Sequence, residues 1–368
     1  MEFSRLKKVH LTGKAPSPIR NNAEDALGSP WVTDTLDTAA GVVPLVATRL
    51  SVRDRFGSWK VRWGIGRMQF IVPPGLYGVG RPDRDAPVLV TANYKMTFDR
   101  LRCELDGINA WILVLDTRGV NVWCAAGKGT FGTGEIVRRI RASRLDKVVR
   151  HQSLILPQLG APGVRAHEIT RDTGFHVLFG PVAAADLPAY LAAGRIATPA
   201  MRRIRFTLGD RLVLTPVELV ANIKKAIVVL GVFFLLNAIG FGRYGWIDLV
   251  AVLGAVVTGC VLVPGLLPVL PGRMFAVKGA FLGIFWAIAV VLLFGWPPAD
   301  ATSWLKAVGY LLSIPAITAF EAMNFTGSST YTSPSGVNRE MRLTLLPQII
   351  GVVLGIMALL AADAVRLW

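Results

Sequence analysis

Beyond residue 225 the sequence is dominated by five apolar segments, at about 226–242, 246–267, 275–294, 304–325 and 343–362. Each approaches the roughly 20 residues that a helix needs to cross the hydrocarbon core of a bilayer. In that medium every backbone N–H and C=O has to be satisfied within its own segment, so helices are the option open to such stretches. Residues 221–368 are therefore expected to form an all-α transmembrane domain of five helices, preceded by a domain outside the membrane at 1–220. Gly, Ala and Ser in the apolar segments allow close helix packing, and Pro264, Pro268 and Pro315 are expected to kink or end helices. No run of charges lies inside these segments, which argues against a pump or ion transporter. Glu321, near a helix end, is expected to be an interfacial side chain.

Charge is divided unevenly. Of the formal net charge of +16, the first 225 residues carry +14. Arg211, Lys224 and Lys225 flank the first apolar segment, Arg273 and Lys278 the second loop, and Arg339 and Arg342 the fourth. The opposite side keeps Arg243, Lys306 and Arg366. The positive-inside rule then predicts a multi-pass protein of the inner membrane, with the first domain cytoplasmic and the C-terminus outside. The N-terminal MEFSRLKKVHLTGK has no apolar core, so no signal peptide is expected. A basic domain beside a membrane suits anionic lipid or an acidic partner. No helix-turn-helix, zinc-finger or RNA-recognition signature supports nucleic acid.

Within the first domain, residues 1–80 are punctuated by Pro and Gly and hold short apolar stretches at 42–46 and 69–72. They are expected to be an extended arm with short strands. From 81 to 200 the pattern sharpens into a core. Strands are expected at 86–91, 110–116, 153–156 and 176–179, and helices at 95–105, 133–143 and 187–193. Such alternation indicates a parallel α/β sheet, Rossmann-like, whose ligands bind beyond the carboxyl ends of its strands. The three cysteines, Cys103, Cys124 and Cys260, are far apart and form no CxxC. That argues against a disulfide framework, a zinc site or an Fe–S cluster in this chain.

The segment 116–134 reads DTRGVNVWCAAGKGTFGTG. Gly127 to Gly132 fits GxGxxG, but ten residues separate it from Asp116 and no acid follows at 147–165, so the dinucleotide fingerprint is not met. A phosphate loop would need Gly at 122 and Ser or Thr at 129, where this chain has Val122 and Gly129. A lone cysteine such as Cys124 is ordinarily a small buried apolar residue.

Asn121-Val-Trp-Cys124-Ala-Ala-Gly-Lys128, continuing through Gly129-Thr-Phe-Gly132-Thr, closely resembles the cap-helix motif of the membrane-anchored corrinoid proteins of mercury methylation. Other blocks agree: Leu89-Val-Thr-Ala-Asn-Tyr-Lys95, Leu154-Ile-Leu-Pro-Gln-Leu-Gly-Ala-Pro-Gly163, and the segment 323–336. The resemblance runs over most of the chain from about residue 41, and the order of an α/β corrinoid-binding domain followed by five membrane helices matches as well. The large subunit of the corrinoid iron–sulfur protein of acetyl-CoA synthesis is related through the same α/β module. That family, however, carries a cysteine cluster and a barrel domain and lacks the cap-helix cysteine. Another corrinoid module uses DxHxxG, a pattern that none of His10, His151, His167 or His176 joins.

The resemblance implies a methyltransferase that passes a methyl group from a cobalt corrinoid to Hg(II), with the thiolate of Cys124 as the lower axial ligand and catalytic group. Hg(II) is a soft electrophile and needs a carbanion equivalent or a radical. An anionic sulfur donor opposite the methyl group pushes electron density toward it. Corrinoid contacts are expected from Thr91 and Thr97 on a strand–loop, and from Val120, Asn121, Val122, Trp123, Ala125, Ala126, Gly127 and Lys128. The small residues would let backbone approach the macrocycle, Asn121 would cap the helix, and Trp123 would wall the ring. The implied partners are a ferredoxin with two [4Fe–4S] clusters and a methyltetrahydrofolate-linked methyl donor. Segment 323–336 is expected to contact the corrinoid domain or the ferredoxin. A corrinoid methyl carrier for another substrate and a transporter with a soluble regulatory domain are the competing readings.

Overall fold

The computed structural model describes residues 22–242, 244–328 and 334–367. The start of the expected arm, Arg243 and the middle of segment 323–336 lie outside the described residues. The chain divides into two compact units, Met1–Val61 with Gly66–Ile204, and Arg62–Ile65 with Arg205–Trp368.

The first unit runs β1 (Val32–Thr38), β2 (Gly41–Val46), α1 (Val52–Arg62), β3 (Gly75–Val79), β4 (Val88–Ala92), α2 (Lys95–Cys103), β5 (Ala110–Leu115), α3 (Val122–Lys128), α4 (Thr133–Ala142), α5 (Leu145–Val148), β6 (Ser153–Leu156), α6 (Ala166–Thr173), β7 (His176–Phe179) and α7 (Leu187–Ala192). The strands form one seven-stranded sheet in the order β1-β2-β3-β5-β4-β6-β7. Strands β5, β4, β6 and β7 are mutually parallel. The expectation of a parallel sheet is corrected by β3, which pairs antiparallel with β5, and by β1, which pairs antiparallel with β2. The strand GLYGV was hidden by its glycines. Gly78 is needed because a Cβ there would lie 3.1 Å from Pro82 and collide with Leu45, a close approach of the kind that glycine marks inside strands. The short stretch 69–72 is not a strand: Arg67–Gln69 is a 3-10 turn and Ile71 makes an isolated bridge to Tyr94.

Both faces of the sheet are covered, which is why β4 and β5 are buried at every residue and read as unbroken apolar runs. On one face Val88, Val90, Leu113 and Leu115 meet Val122 and Ala125 of α3 and Ile136 and Ile140 of α4. On the other, Leu89, Ile112 and Val114 meet Phe98 and Leu101 of α2 and Leu187 and Tyr190 of α7. Helices on opposite faces follow β4 and β5, so the strand order turns at β4. Its carboxyl end therefore lies at the crevice where such sheets bind ligands.

A buried ionic cluster ties α1 to α2. Lys95 Nζ lies 2.7 Å from both Asp54 and Asp99, and Arg102 pairs with Asp54 at 3.0 Å and Asp99 at 2.8 Å. Arg102 also donates to the carbonyls of Ala47 and Arg49, and Lys95 stands over the rings of Trp31 and Phe70. Two acids and two bases neutralise one another, the condition for keeping charges away from water.

The second unit contains five helical stretches long and apolar enough to cross a membrane: Leu208–Ala238, Trp246–Leu266, Phe275–Phe294, Ala301–Asn324 and Ser335–Val365. This is a membrane protein. Its helices are α8 (Leu208–Leu212), α9 (Thr215–Ala238), α10 (Trp246–Val257), α11 (Val263–Leu266), α12 (Phe275–Phe294), α13 (Ala301–Asn324) and α14 (Pro334–Leu367), with a π turn at Thr258–Leu262. Glycines set the packing. A Cβ on Gly283 would lie 2.7 Å from Pro315 Cα, and one on Gly355 2.8 Å from the Gly309 carbonyl. The cations counted as loop residues serve carbonyls freed near the prolines. Arg211 donates to Pro264 and Gly265, and Lys278 to Leu267 and Leu270. Glu321 corrects the expectation of an interfacial side chain: it is 5% exposed and packs against Gly259 of the π turn.

The ionic cluster yields a stability prediction. Burial raises the Asp54 carboxyl, but Lys95 and Ser51 outweigh it and hold the group at about 2 against an ordinary 3.8. The folded-state value lies below the unfolded one, so this stabilisation is complete above about pH 4 and is lost as pH falls from about 4 to about 2. Asp54→Asn is expected to flatten that acid limb. Asp54→Ala, which leaves two buried cations with one acid, is expected to cost about 3–5 kcal/mol. Denaturant unfolding of the detergent-solubilised protein, followed by tryptophan fluorescence, measures both; an unchanged midpoint for Asp54→Ala would contradict the assignment.

Candidate functional site

The carboxyl ends of β4 and β5 are joined by one buried side chain. Asn93, 2% exposed, accepts at Oδ1 from the backbone N–H groups of Thr117 and Gly119, both at 3.0 Å. Its Nδ2 donates to Asp116 at 3.3 Å. Between those anchors the chain makes a tight turn. Arg118 and Gly119 have φ of 57° and 72°, and the Val120 N–H donates to the Thr117 carbonyl at 3.2 Å. Two consecutive left-handed residues define a type I′ turn. Gly119 is required there, because a Cβ would stand 2.8 Å from Ile71 Cγ2 at a positive φ. From the other side Glu135 of α4 accepts from the Asp116 N–H at 2.9 Å and is held by Arg139.

This loop delivers the chain into α3. Asn121 is its N-cap, in extended conformation, with the side chain accepting from the Cys124 N–H at 2.9 Å. Such a cap satisfies one of the donors that a helix start leaves open. Gly129 closes the helix at φ 78°, the left-handed position that glycine fills without steric cost. The inner side of α3 is fixed by Val122, Ala125 and Ala126, all buried in the core. It also packs against the segment Gln158–Gly163, where a Cβ on Gly163 would lie 3.0 Å from Ala126 Cα and clash with the Phe131 carbonyl.

The sequence-predicted residues thus fall into separate groups. Trp123 and Cys124 are half-buried, and Gly127 and Lys128 exposed. A Cβ added at Gly127 or Gly129 would meet nothing within 4 Å, so the space beyond the end of α3 is open. Val122, Ala125 and Ala126 instead turn their side chains into the protein, and Val120 packs partly buried beside them. Thr91 lies buried within β4 and Thr97 in the first turn of α2, so neither is on a strand–loop. Asn93, Glu135 and Gly163 were not singled out from the sequence. The available signal was a polar side chain directly after a buried strand, which needs an internal partner.

The other cysteines sit in different surroundings. Cys103 ends α2 half-buried, and burial pushes its thiol up while Arg102 acts the other way. Cys260 is buried in the π turn and accepts from Asn222 at 3.1 Å. A cleft of about 450 Å³ opens at the other end of β5, bordered by Asp34, Arg81 and Asp106. It is remote from α3 along the strand and holds no cysteine.

Residues 67–191, which contain β3 to α7, match the family described as CO dehydrogenase/acetyl-CoA synthase delta subunit. Among curated relatives, the acetyl-CoA decarbonylase/synthase complex subunit gamma of Methanopyrus kandleri is 35% identical over 123 residues, 33% of this chain and 26% of the relative. The subunit of the same name from Methanothermobacter thermautotrophicus is 34% identical over 122 residues, with the same coverage. That from Archaeoglobus fulgidus is 32% identical over 122 residues. The likeness spans about a third of this chain and about a quarter of the length of each of these relatives.

Asn93→Ala is expected to release the loop while leaving the sheet intact. Each backbone N–H left buried without an acceptor costs about 1–3 kcal/mol. Hydrogen exchange at Thr117 and Gly119 is therefore expected to accelerate at least about tenfold, with the amides of β5 still protected. Unchanged exchange at both positions would mean that Asn93 does not hold the turn.

Proposed function

We propose that this chain is a membrane-anchored, corrinoid-dependent methyltransferase in which the thiolate of Cys124 would hold the corrinoid cobalt and Hg(II) would accept the methyl group. The observation that carries the reading is the half-buried thiol of Cys124, on a capped helix at the ligand-binding edge of the sheet. It lies inside residues 67–191, which match the family described as CO dehydrogenase/acetyl-CoA synthase delta subunit. The open backbone at Gly127 and Gly129 suits a flat macrocycle.

When bound, a corrinoid would supply the methyl-carrying chemistry, and the thiolate of Cys124, by holding its cobalt, would favour release of the methyl group to a soft electrophile. The protein's part is to present that sulfur. Asn121 occupies the Cys124 N–H and fixes the first turn, Val122 and Ala125 anchor the helix to the core, and Trp123 borders the ring. Lys128, exposed at the helix end, faces the acidic parts of the ligand or solvent. The backbone of 120–128 completes the proposed cradle. Reducing equivalents come from a ferredoxin with two [4Fe–4S] clusters and the methyl group from a methyltetrahydrofolate-linked donor. The +14 carried by the first 225 residues suits an acidic electron donor. In this reading the sheet-bearing unit is cytoplasmic.

A second reading, a corrinoid methyl carrier for acyl synthesis, is favoured by the names of the relatives. Transfer of the methyl group to Hg(II) separates the two. The purified protein, loaded with corrinoid and supplied with Hg(II), a methyltetrahydrofolate-linked methyl donor, the ferredoxin and a low-potential reductant, is expected to show a cobalt–sulfur contact by X-ray absorption and to yield methylmercury. Cys124→His and Cys124→Ala are expected to keep the corrinoid while the yield falls by about 100-fold, or about 2.7 kcal/mol of lost transition-state stabilisation. Wild-type yield from Cys124→Ala, or no cobalt–sulfur contact in the wild type, would overturn the role of Cys124, and a wild-type protein that binds corrinoid but yields no methylmercury would favour the second reading. Failure to bind corrinoid would sink both.

A further inference from the structure

Helix α1 is turned inside out for a helix of a soluble domain. At about 100° per residue, Val52, Phe56 and Trp59 fall on one narrow stripe, and Asp54, Gly57 and Val61 on the opposite side. It is the acid-bearing side that packs inward. Asp54 is 5% exposed in the cluster with Lys95 and Arg102, Val61 is buried, and Gly57 admits the Phe70 ring, which would stand 2.8 Å from an added Cβ. The apolar stripe faces out, with Val52 85%, Phe56 59% and Trp59 53% exposed. Phe56 and Trp59 stack at 5.9 Å, so the exposed rings form one surface.

The charges are arranged around that stripe. By the same geometry Arg53 and Lys60 border it on one side, and Arg55 and Arg62 on the other. Lys60 Nζ already lies 6.0 Å above the Phe56 ring. The only acid of the helix, Asp54, is neutralised inside the domain. An apolar stripe flanked on both sides by basic side chains fits the boundary between lipid headgroups and acyl chains. Aromatic rings insert there while long cationic side chains reach up to phosphate. Tryptophan is enriched at that depth. Among the described residues the same chain carries five helical stretches long and apolar enough to cross a membrane, which would hold a bilayer at high effective concentration near this helix.

We propose that α1 is an interfacial helix, lying on the membrane with Phe56 and Trp59 in the headgroup region and Arg53, Arg55, Lys60 and Arg62 on anionic phosphates. The occupant of the exposed stripe is lipid. Because the inner face of α1 is tied to α2 through Asp54, contact of α1 with lipid is passed on to the sheet-bearing unit. This role of α1 requires neither Cys124 nor a cofactor.

The test uses the full chain in nanodiscs of phosphatidylglycerol and phosphatidylcholine, or of phosphatidylcholine alone. A photoreactive residue is placed by Phe56→p-benzoylphenylalanine or Trp59→p-benzoylphenylalanine, with Leu178→p-benzoylphenylalanine, a 37% exposed position on β7, as control. Irradiation followed by mass spectrometry is expected to give lipid adducts at 56 and 59 and few at 178. Each basic residue near an anionic surface is worth about a fivefold gain in binding. The yield at 56 and 59 is therefore expected to be at least about fivefold higher in the anionic discs, and to drop in Arg53→Gln/Lys60→Gln protein. Absence of lipid adducts at both sites, adducts to protein instead, or equal yields in the two lipids would each overturn the proposal.

Discussion

Four charges buried together, Asp54, Lys95, Asp99 and Arg102, fix where α1 and α2 lie against the sheet. Lys95 is the first residue of α2 and stands two positions after Asn93. Holding the start of that helix also holds the end of β4, where Asn93 reaches across to the turn at Thr117–Gly119. The turn in turn sets the entry into α3 and so the position of Cys124. Each link is a buried polar contact whose loss would leave an unpaired group away from water, and that makes the arrangement discrete.

The same logic governs both units. In the sheet-bearing unit polar side chains close the loops that carry the site. In the helical unit Arg211 and Lys278 serve carbonyls at Pro264, Gly265, Leu267 and Leu270, where the prolines and the π turn interrupt the regular backbone pattern. Within a membrane no water is at hand to do this, so a cation near the helix end meets both the hydrogen-bond demand and the helix dipole. Residues counted as topological markers in the sequence are thus also structural ones.

The small residues of the motif around Cys124 divide their work. Ala125 and Ala126 let α3 press against the core and against Gly163, whereas Gly127 and Gly129 leave open space beyond the helix. A single short motif therefore combines packing on one side with access on the other. This is how a helix of seven residues, too short to be stable alone, presents a thiol at a defined place.

The sequence by itself determined the five apolar helices, the strands at Ala110–Leu115, Ser153–Leu156 and His176–Phe179, and the Asn121 cap. All of these rest on local signals: run length, continuous burial, or a side chain bonding its own neighbours. Only the tertiary structure decided that β1–β3 join the same sheet, that Gly75–Val79 is a strand, and that Asn93 governs the loop. It alone turned Ala125 and Ala126 inward, buried Glu321 and left Phe56 and Trp59 exposed. These outcomes depend on partners distant in the chain, such as Leu45 for Gly78 or Arg102 for Asp54. Periodicity and propensity carry no information about which distant side chain fills a given space.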